Sequence, residues 1–168
     1  MPFYHKLGKF PKKRHTVYRK ENGELFQEQL FGTIGFDGMS SLMYHNHPPT
    51  IVKDFVEAVD VNPEVAFEKQ LRMRSFMGYK VDPKDDYLES RVPMLTNSDV
   101  TLVLSAPKKS LRDYFYKNAD CDEVIFIHEG NGKLRTQLGN IDFSYGDYLV
   151  IPRGMIYQID FETENNRL

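Results

Sequence analysis

The sequence has 168 residues, 40% of them apolar and 27% charged, with a formal net charge of −2. That size and balance suit one globular domain, or one domain with an arm, that can bury a core without a disulfide or structural metal. The near-neutral charge gives no general drive toward nucleic acid or an anionic membrane. The single cysteine, Cys121, rules out an internal disulfide framework, and no apolar run reaches the roughly 18–20 residues of a membrane helix.

The first 20 residues carry Lys6, Lys9, Lys12, Lys13, Arg14, Arg19 and Lys20 with no acid among them. No apolar stretch follows, so this is not a signal peptide. A cytoplasmic location is the default expectation. The basic run reads as a solvated or subunit-clasping arm, with polyanion binding as the sharper alternative. Residues 15–19 and 25–31 are strand-like, and Glu21-Asn22-Gly23 between them signals a hairpin turn. Residues 32–50, rich in Gly, Ser, Met and Pro, read as loop. Gly32, Gly35 and Gly38 lack the Lys-Ser/Thr and following helix of a phosphate loop.

Ile51, Phe55 and Val59 share one helical face, predicting a short helix over 50–62 that Asn62-Pro63 would end. Partial alternation of Leu71 and Met73 against Arg72 and Arg74 predicts a strand within 64–81, and 82–86 reads as an exposed turn. From about residue 98 the strand signal is strong. Residues 100–106, Leu111–Lys117, 123–128, 133–138, 141–145, Tyr148–Ile151 and 155–161 are apolar or alternating runs, separated by Gly130-Asn131-Gly132, Gly139-Asn140, Gly146-Asp147 and Pro152-Arg153-Gly154. Short strands at this spacing predict an antiparallel sandwich or barrel.

Two segments resemble the cupin motifs. The first is Glu123, VIFIHE, Gly130; the second is Gly146, DYLVI, Pro152-Arg153-Gly154. The glycines permit turns that a Cβ would obstruct, and Pro152 sets φ where a strand must end. A metal-binding cupin carries His-x-His just before the motif Glu and a third His after the second-motif Gly. Those positions hold Tyr116 and Asn118 (or Lys117 and Ala119) and Tyr157, so only Glu123 survives of four expected ligands. A lone carboxylate does not hold Fe(II), which wants two imidazoles and a carboxylate on one face. A metal-free barrel is the expectation, with Glu123 read as a partly exposed residue at a strand end.

The longer segments FYHKLGKFPKKRHTVYRKENGELFQEQLFGTIGFDGMSSLMYHNHPP and YFYKNADCDEVIFIHEGNG…GDYLVIPRGMIYQIDF resemble the N-terminal half of the homogentisate 1,2-dioxygenase family. The resemblance implies a mainly β, cupin-type double-stranded β-helix: an N-terminal β-rich arm and extension over 1–95, and a degenerate barrel over 96–168 that is incomplete at its C-terminus. It implies that Fe(II) is held by two His and one Glu in a separate C-terminal barrel. It further implies that the full-length enzyme opens homogentisate with O₂ to maleylacetoacetate in tyrosine and phenylalanine catabolism. A trimeric or hexameric homo-oligomer is implied as well. The 168 residues alone are then expected to be inactive, with no catalytic, cofactor-binding or metal-binding residue of their own. Residues 161–166 read as a turn, and Arg167-Leu168 as the start of a returning strand that closes the barrel. The rival reading is a non-catalytic scaffold or small-ligand-binding cupin.

Four other features have plainer readings than functional ones. His45 and His47 have i, i+2 ligand spacing in an extended segment, but Pro48-Pro49 follow and no acid lies nearby; loop packing is the plainer reading. His128 reads as a partly solvated strand-end residue rather than an acid–base group. Cys121 is flanked by Asp120, Asp122 and Glu123, which disfavour a thiolate. Tyr114, Phe115 and Tyr116 alternate across a strand, as packing residues would.

Overall fold

A computed structural model describes residues 17–49, 51–56, 63–64, 70 and 72–168. The chain divides into two compact units, Met1–Asp60 and Val61–Leu168. Most of the basic arm, together with Val59 and Leu71, lies outside the described residues.

The described part of the first unit is an antiparallel hairpin of β1 (Gln27–Ile34) and β2 (Asp37–His45), paired from Gln27↔His45 to Ile34↔Asp37 with a register shift between Gly32 and Ile34. This corrects the loop expected over 32–50. The glycines read as breakers are the turn chemistry of the hairpin: Gly35 has φ +54° and Gly38 φ +76°, which residues with a Cβ rarely adopt. Upstream, Asn22 Oδ1 accepts the Glu24 N–H at 3.1 Å and Arg19 bridges Leu25, so the Asn-Gly turn forms as expected. Residues 51–56 are not helical, contrary to the helix expected over 50–62. Three apolar residues at this spacing span about two and a half turns, too short to stand without packing.

In the second unit, residues 72–77 form no strand, and only a 3₁₀ turn, Gly78–Lys80, follows. Alternation of two residue pairs is too short a signal to fix a strand by itself. A strand not anticipated, β3 (Arg91–Thr96), pairs with β4 (Thr101–Ser105); Pro93 inside it masks the strand signal and sits beside a register shift. The remaining strands fall close to their predicted places: β5 (Leu111–Lys117), β6 (Glu123–Phe126), β7 (Gly132–Thr136), β8 (Gly139–Phe143), β9 (Tyr148–Ile151) and β10 (Ile156–Phe161). The turn expected at Gly139-Asn140 is instead Gln137-Leu138, and Gly139 opens β8.

These six strands pair in a nested order. β5 pairs β10, β6 pairs β9 and β7 pairs β8, all antiparallel, and β10 also pairs β7. A long two-stranded ribbon folded back on itself gives this order, and it is the pairing of a double-stranded β-helix. The resulting sheets, β5-β10-β7-β8, β6-β9 and β3-β4, are not joined by strand ladders into a closed barrel. Arg167 bridges Glu129, and Leu168 exchanges backbone bonds with Ser105 at 2.9 and 3.1 Å, so the chain's last residues return as a strand would.

Alternation places Ile125 and Ile127, Leu134, Phe143, Leu149 and Ile151, and Tyr157 and Ile159 inside. Each fully buried aliphatic side chain contributes roughly 1.5–3 kcal/mol. One buried polar residue explains a local irregularity. The β5–β10 register jumps between Tyr157↔Tyr116 and Ile159↔Leu111, which leaves carbonyls on the bulging strand unpaired. Gln158 fills the gap, its Nε2 donating to the Arg112 carbonyl at 2.9 Å and the Tyr114 carbonyl at 3.1 Å. The motif glycines Gly146 and Gly154 have φ +90° and +82°, as the motif reading required. No helix among the described residues is long and apolar enough to cross a membrane.

Candidate functional site

The polar centre of the second unit is built around Arg91, a residue the sequence alone did not single out. Asp86 starts the local structure. Its Oδ1 accepts the backbone N–H of Leu88 at 2.8 Å and of Glu89 at 3.0 Å, and the Ser90 N–H bonds the Asp86 carbonyl at 3.0 Å. This single capped turn puts Tyr87 and Arg91, four residues apart, on one side. The turn is tied to β5 by the Tyr114 hydroxyl, which donates to Asp86 Oδ2 at 2.6 Å, and to β4 by Ser90 and Ser105, whose hydroxyls are 2.6 Å apart. Upstream, Lys84 exchanges backbone bonds with Ala106 and Lys108.

Arg91 then reaches across to two other sheets. Its Nη1 donates to Glu123 Oε1 at 2.9 Å, and Nη2 donates to the hydroxyls of Tyr87 at 2.7 Å and Tyr157 at 3.2 Å. The Tyr116 hydroxyl lies 3.4 Å from Nη1. The guanidinium carbon stands over the rings of Tyr87 and Tyr116 at 4.6 and 5.0 Å, within cation–π range. Tyr157 is fully buried and donates its hydroxyl to Glu123 Oε2 at 2.7 Å, so both carboxylate oxygens are occupied. Burial pushes the Tyr157 and Tyr116 hydroxyls above the usual phenol range, which keeps both protonated. For Arg91, burial works against the charge, but the facing hydroxyls of Tyr87 and Tyr157 and the Glu123 carboxylate outweigh it and raise its pKa.

Three of the four positions where the sequence was searched for metal ligands, Tyr116, Glu123 and Tyr157, thus converge on one point. The fourth, Asn118, does not. Its Oδ1 accepts the N–H of Asp120 and Cys121, its Nδ2 lies 3.3 Å from Cys121 Sγ, and its carbonyl accepts the Gly154 N–H. Glu123 is a strand-end residue as expected, but its side chain is only 11% exposed and paired at both oxygens.

The remaining candidates are scattered. His45, at the end of β2, pairs its Nε2 with Gln29 Oε1 at 2.9 Å, and His47 is exposed beyond that strand. His128 is half-buried beside Tyr79, whose hydroxyl bonds its Nε2. Cys121 is exposed. Among the described residues, no group of three or more His, Cys, Asp or Glu is arranged to hold a metal ion. Sequence reasoning missed Tyr87 and Arg91. The one available signal was Asp86-x-x-Glu89, a helix-start pattern that would have placed both on one side of a turn.

A mainly β unit with a nested ribbon and an internally neutralised polar centre defines a cupin-like module. The family model described as "Homogentisate 1,2-dioxygenase N-terminal" matches residues 37–168, and the chain belongs to that family. It is 35% identical over 162 residues to a Saccharolobus solfataricus protein described as "Putative dioxygenase SSO1533", a match covering 96% of this chain and 42% of that protein. It is 36% identical over 52 residues to the homogentisate 1,2-dioxygenase of Bradyrhizobium diazoefficiens, covering 31% of this chain and 12% of that enzyme. The chain therefore spans well under half the length of these relatives. A crystal structure of a cupin-2 domain containing protein from Shewanella frigidimarina overlaps 46% of this chain and 74% of its own, at 23% identity and a TM-score of 0.41; that overlap is too partial to bear on the fold.

The iron that the family implies can be tested against the polar centre, and the residues do not fit it. Fe(II) wants imidazoles beside a carboxylate with positions left open for substrate. Here the carboxylate is spent on an arginine and a tyrosine, no imidazole among the described residues faces it, and burial keeps the Tyr116 and Tyr157 phenols protonated.

Proposed function

We propose that this chain is the iron-free N-terminal part of a homogentisate 1,2-dioxygenase-like, Fe(II)-dependent ring-cleaving enzyme. On this reading the whole protein acts with O₂ on homogentisate or a closely related dihydroxyphenyl carboxylic acid, giving maleylacetoacetate in tyrosine and phenylalanine breakdown. The observation that carries the assignment for these residues is the Arg91–Glu123 pair. The one surviving motif acid is engaged by a guanidinium and a phenol, so Glu123 offers no open coordination position. The oxygen chemistry then belongs to a separate iron-binding part, and these residues supply a rigid β framework and assembly surfaces for a cytoplasmic homo-oligomer. Family membership and the 35% identity to a dioxygenase-described relative support the enzymatic reading over a free-standing scaffold.

The test compares the 168-residue chain with the full-length gene product, each supplied with Fe(II), homogentisate and O₂. The full-length protein should consume O₂ and form maleylacetoacetate, and the 168-residue chain should do neither. Iron-dependent product from the 168 residues alone would overturn the iron-free assignment. A full-length product inert toward homogentisate and its dihydroxyphenyl analogues would favour the scaffold or ligand-binding reading.

A further inference from the structure

We propose that Glu123, Tyr157, Tyr116 and Tyr87 form a cation cage whose native occupant is the chain's own Arg91 guanidinium, and that the cage, once relieved of that side chain, binds a free guanidinium ion.

The cage is shaped for a flat, delocalised cation. Acceptors ring the guanidinium: Glu123 Oε1, the Tyr87 and Tyr157 hydroxyls, and the Tyr116 hydroxyl. Two aromatic faces stand against its plane. An ammonium would present three donors from one point and could not reach this fan of acceptors, whereas a guanidinium offers five donors in a fixed fork and stacks on rings. The cage walls are themselves held. Tyr157 is fixed by its bond to Glu123 Oε2 and by edge-on packing against Tyr116, with ring centroids 5.4 Å apart. Its members come from β5 and β10 of one sheet, from β6 of another and from the Asp86 turn, and no strand ladder joins the two sheets. A cation at their centre closes electrostatically what the ladders leave open, and the tether places it there without recruiting an ion from solution. Removing the occupant strands Glu123 in a half-buried site with only the Tyr157 hydroxyl for company, which is costly.

Thermal unfolding of the 168-residue chain and its variants tests this. Arg91→Ala should lower the midpoint by roughly 10 °C. Millimolar methylguanidinium should then restore a large share of that loss, while methylammonium or Zn(II) at the same concentration should not, and none of the three should raise the midpoint of the parent chain. Adding Glu123→Gln to Arg91→Ala should recover part of the stability by itself and abolish the methylguanidinium effect, because the charge the ion answers is gone. The proposal is overturned by an Arg91→Ala midpoint equal to the parent's, by rescue that methylammonium matches, or by rescue that survives Glu123→Gln. Rescue by Zn(II) would also overturn it, in favour of a metal site. Should Arg91→Ala fail to fold, Arg91→Lys carries the test. A smaller fall in midpoint with no methylguanidinium rescue is expected, since the tethered ammonium keeps a charge beside Glu123 and blocks the ion's entry but cannot meet all the acceptors. An unchanged midpoint in Arg91→Lys sinks the idea. None of these outcomes depends on whether the full-length protein is a dioxygenase.

Discussion

The hairpin of the first unit and the nested ribbon of the second are both antiparallel, yet they are stabilised differently. Leu30 and Leu42 pair across β1 and β2 and are 54% and 50% exposed, and Ile34, Phe36 and Met39 are exposed as well. In the ribbon, Ile127, Tyr157 and Ile159 are fully buried and the polar groups among them are paired. Two strands alone bury too little to be stable in water, whereas strands that meet others on a second face gain a core. Strand pairing is therefore common to both units, while among the described residues the packed interior lies in the second.

The largest expected effect breaks the ribbon at its tightest point. A Cβ on Gly132 would overlap the Asp160 carbonyl oxygen of the adjacent strand and sit 2.9 Å from the Phe143 ring. Because the obstacle is backbone, the sheet must shift to accommodate it. Gly132→Val should cost at least about 3 kcal/mol, seen as loss of the cooperative unfolding transition or of soluble protein; a variant that melts with the parent would show that β7 and β10 can separate freely.

A smaller effect probes the turn that delivers Arg91. Burial raises the Asp86 pKa, but the Tyr114 hydroxyl and the N–H groups of Glu89 and Leu88 outweigh it, so the net shift is downward. A depressed carboxylate contributes stability that is present above its unfolded value, about 3.9, and lost as pH falls through the lower folded value. Asp86→Asn should destabilise by about 1 kcal/mol at neutral pH, and the gap from the parent should narrow as the solution is acidified toward pH 2. A gap constant with pH would mean that Asp86 acts by shape and not by charge.

The smallest effect is expected in the other region. Leu30→Ser should leave the main unfolding transition within about 0.5 kcal/mol of the parent, as measured by denaturant titration. A larger loss would show that the hairpin shares the ribbon's cooperativity and would erase the contrast drawn between them.

How well each region could be read from sequence follows the same division. From Leu111 onward, β7 and β9 bury alternate residues and the period-2 pattern is sharp there; β5 and β9 coincide with their predicted bounds. In β1 and β2 neither face is fully buried; the pattern blurs, and Gly32, Gly35 and Gly38 resemble a loop. β3 was hidden by Pro93, and residues 72–77 form no strand where the alternation through Met73 predicted one. The site was half legible. Tyr116, Glu123 and Tyr157 were located by motif spacing, and the lack of imidazoles among them was plain. Asn118 was placed in the same group but belongs to a turn of its own.

By itself the sequence determined the strand spacing, the left-handed turns at Gly146 and Gly154, and a ligand set reduced to one acid, because each of these depends on residues near one another in the chain. Only the tertiary structure decided what that acid does. Arg91 lies 32 residues before Glu123 and 66 before Tyr157, and no local period or spacing marks a contact over such distances. The packing of separate sheets brings the guanidinium to the carboxylate, and burying a charge then makes the pairing obligatory.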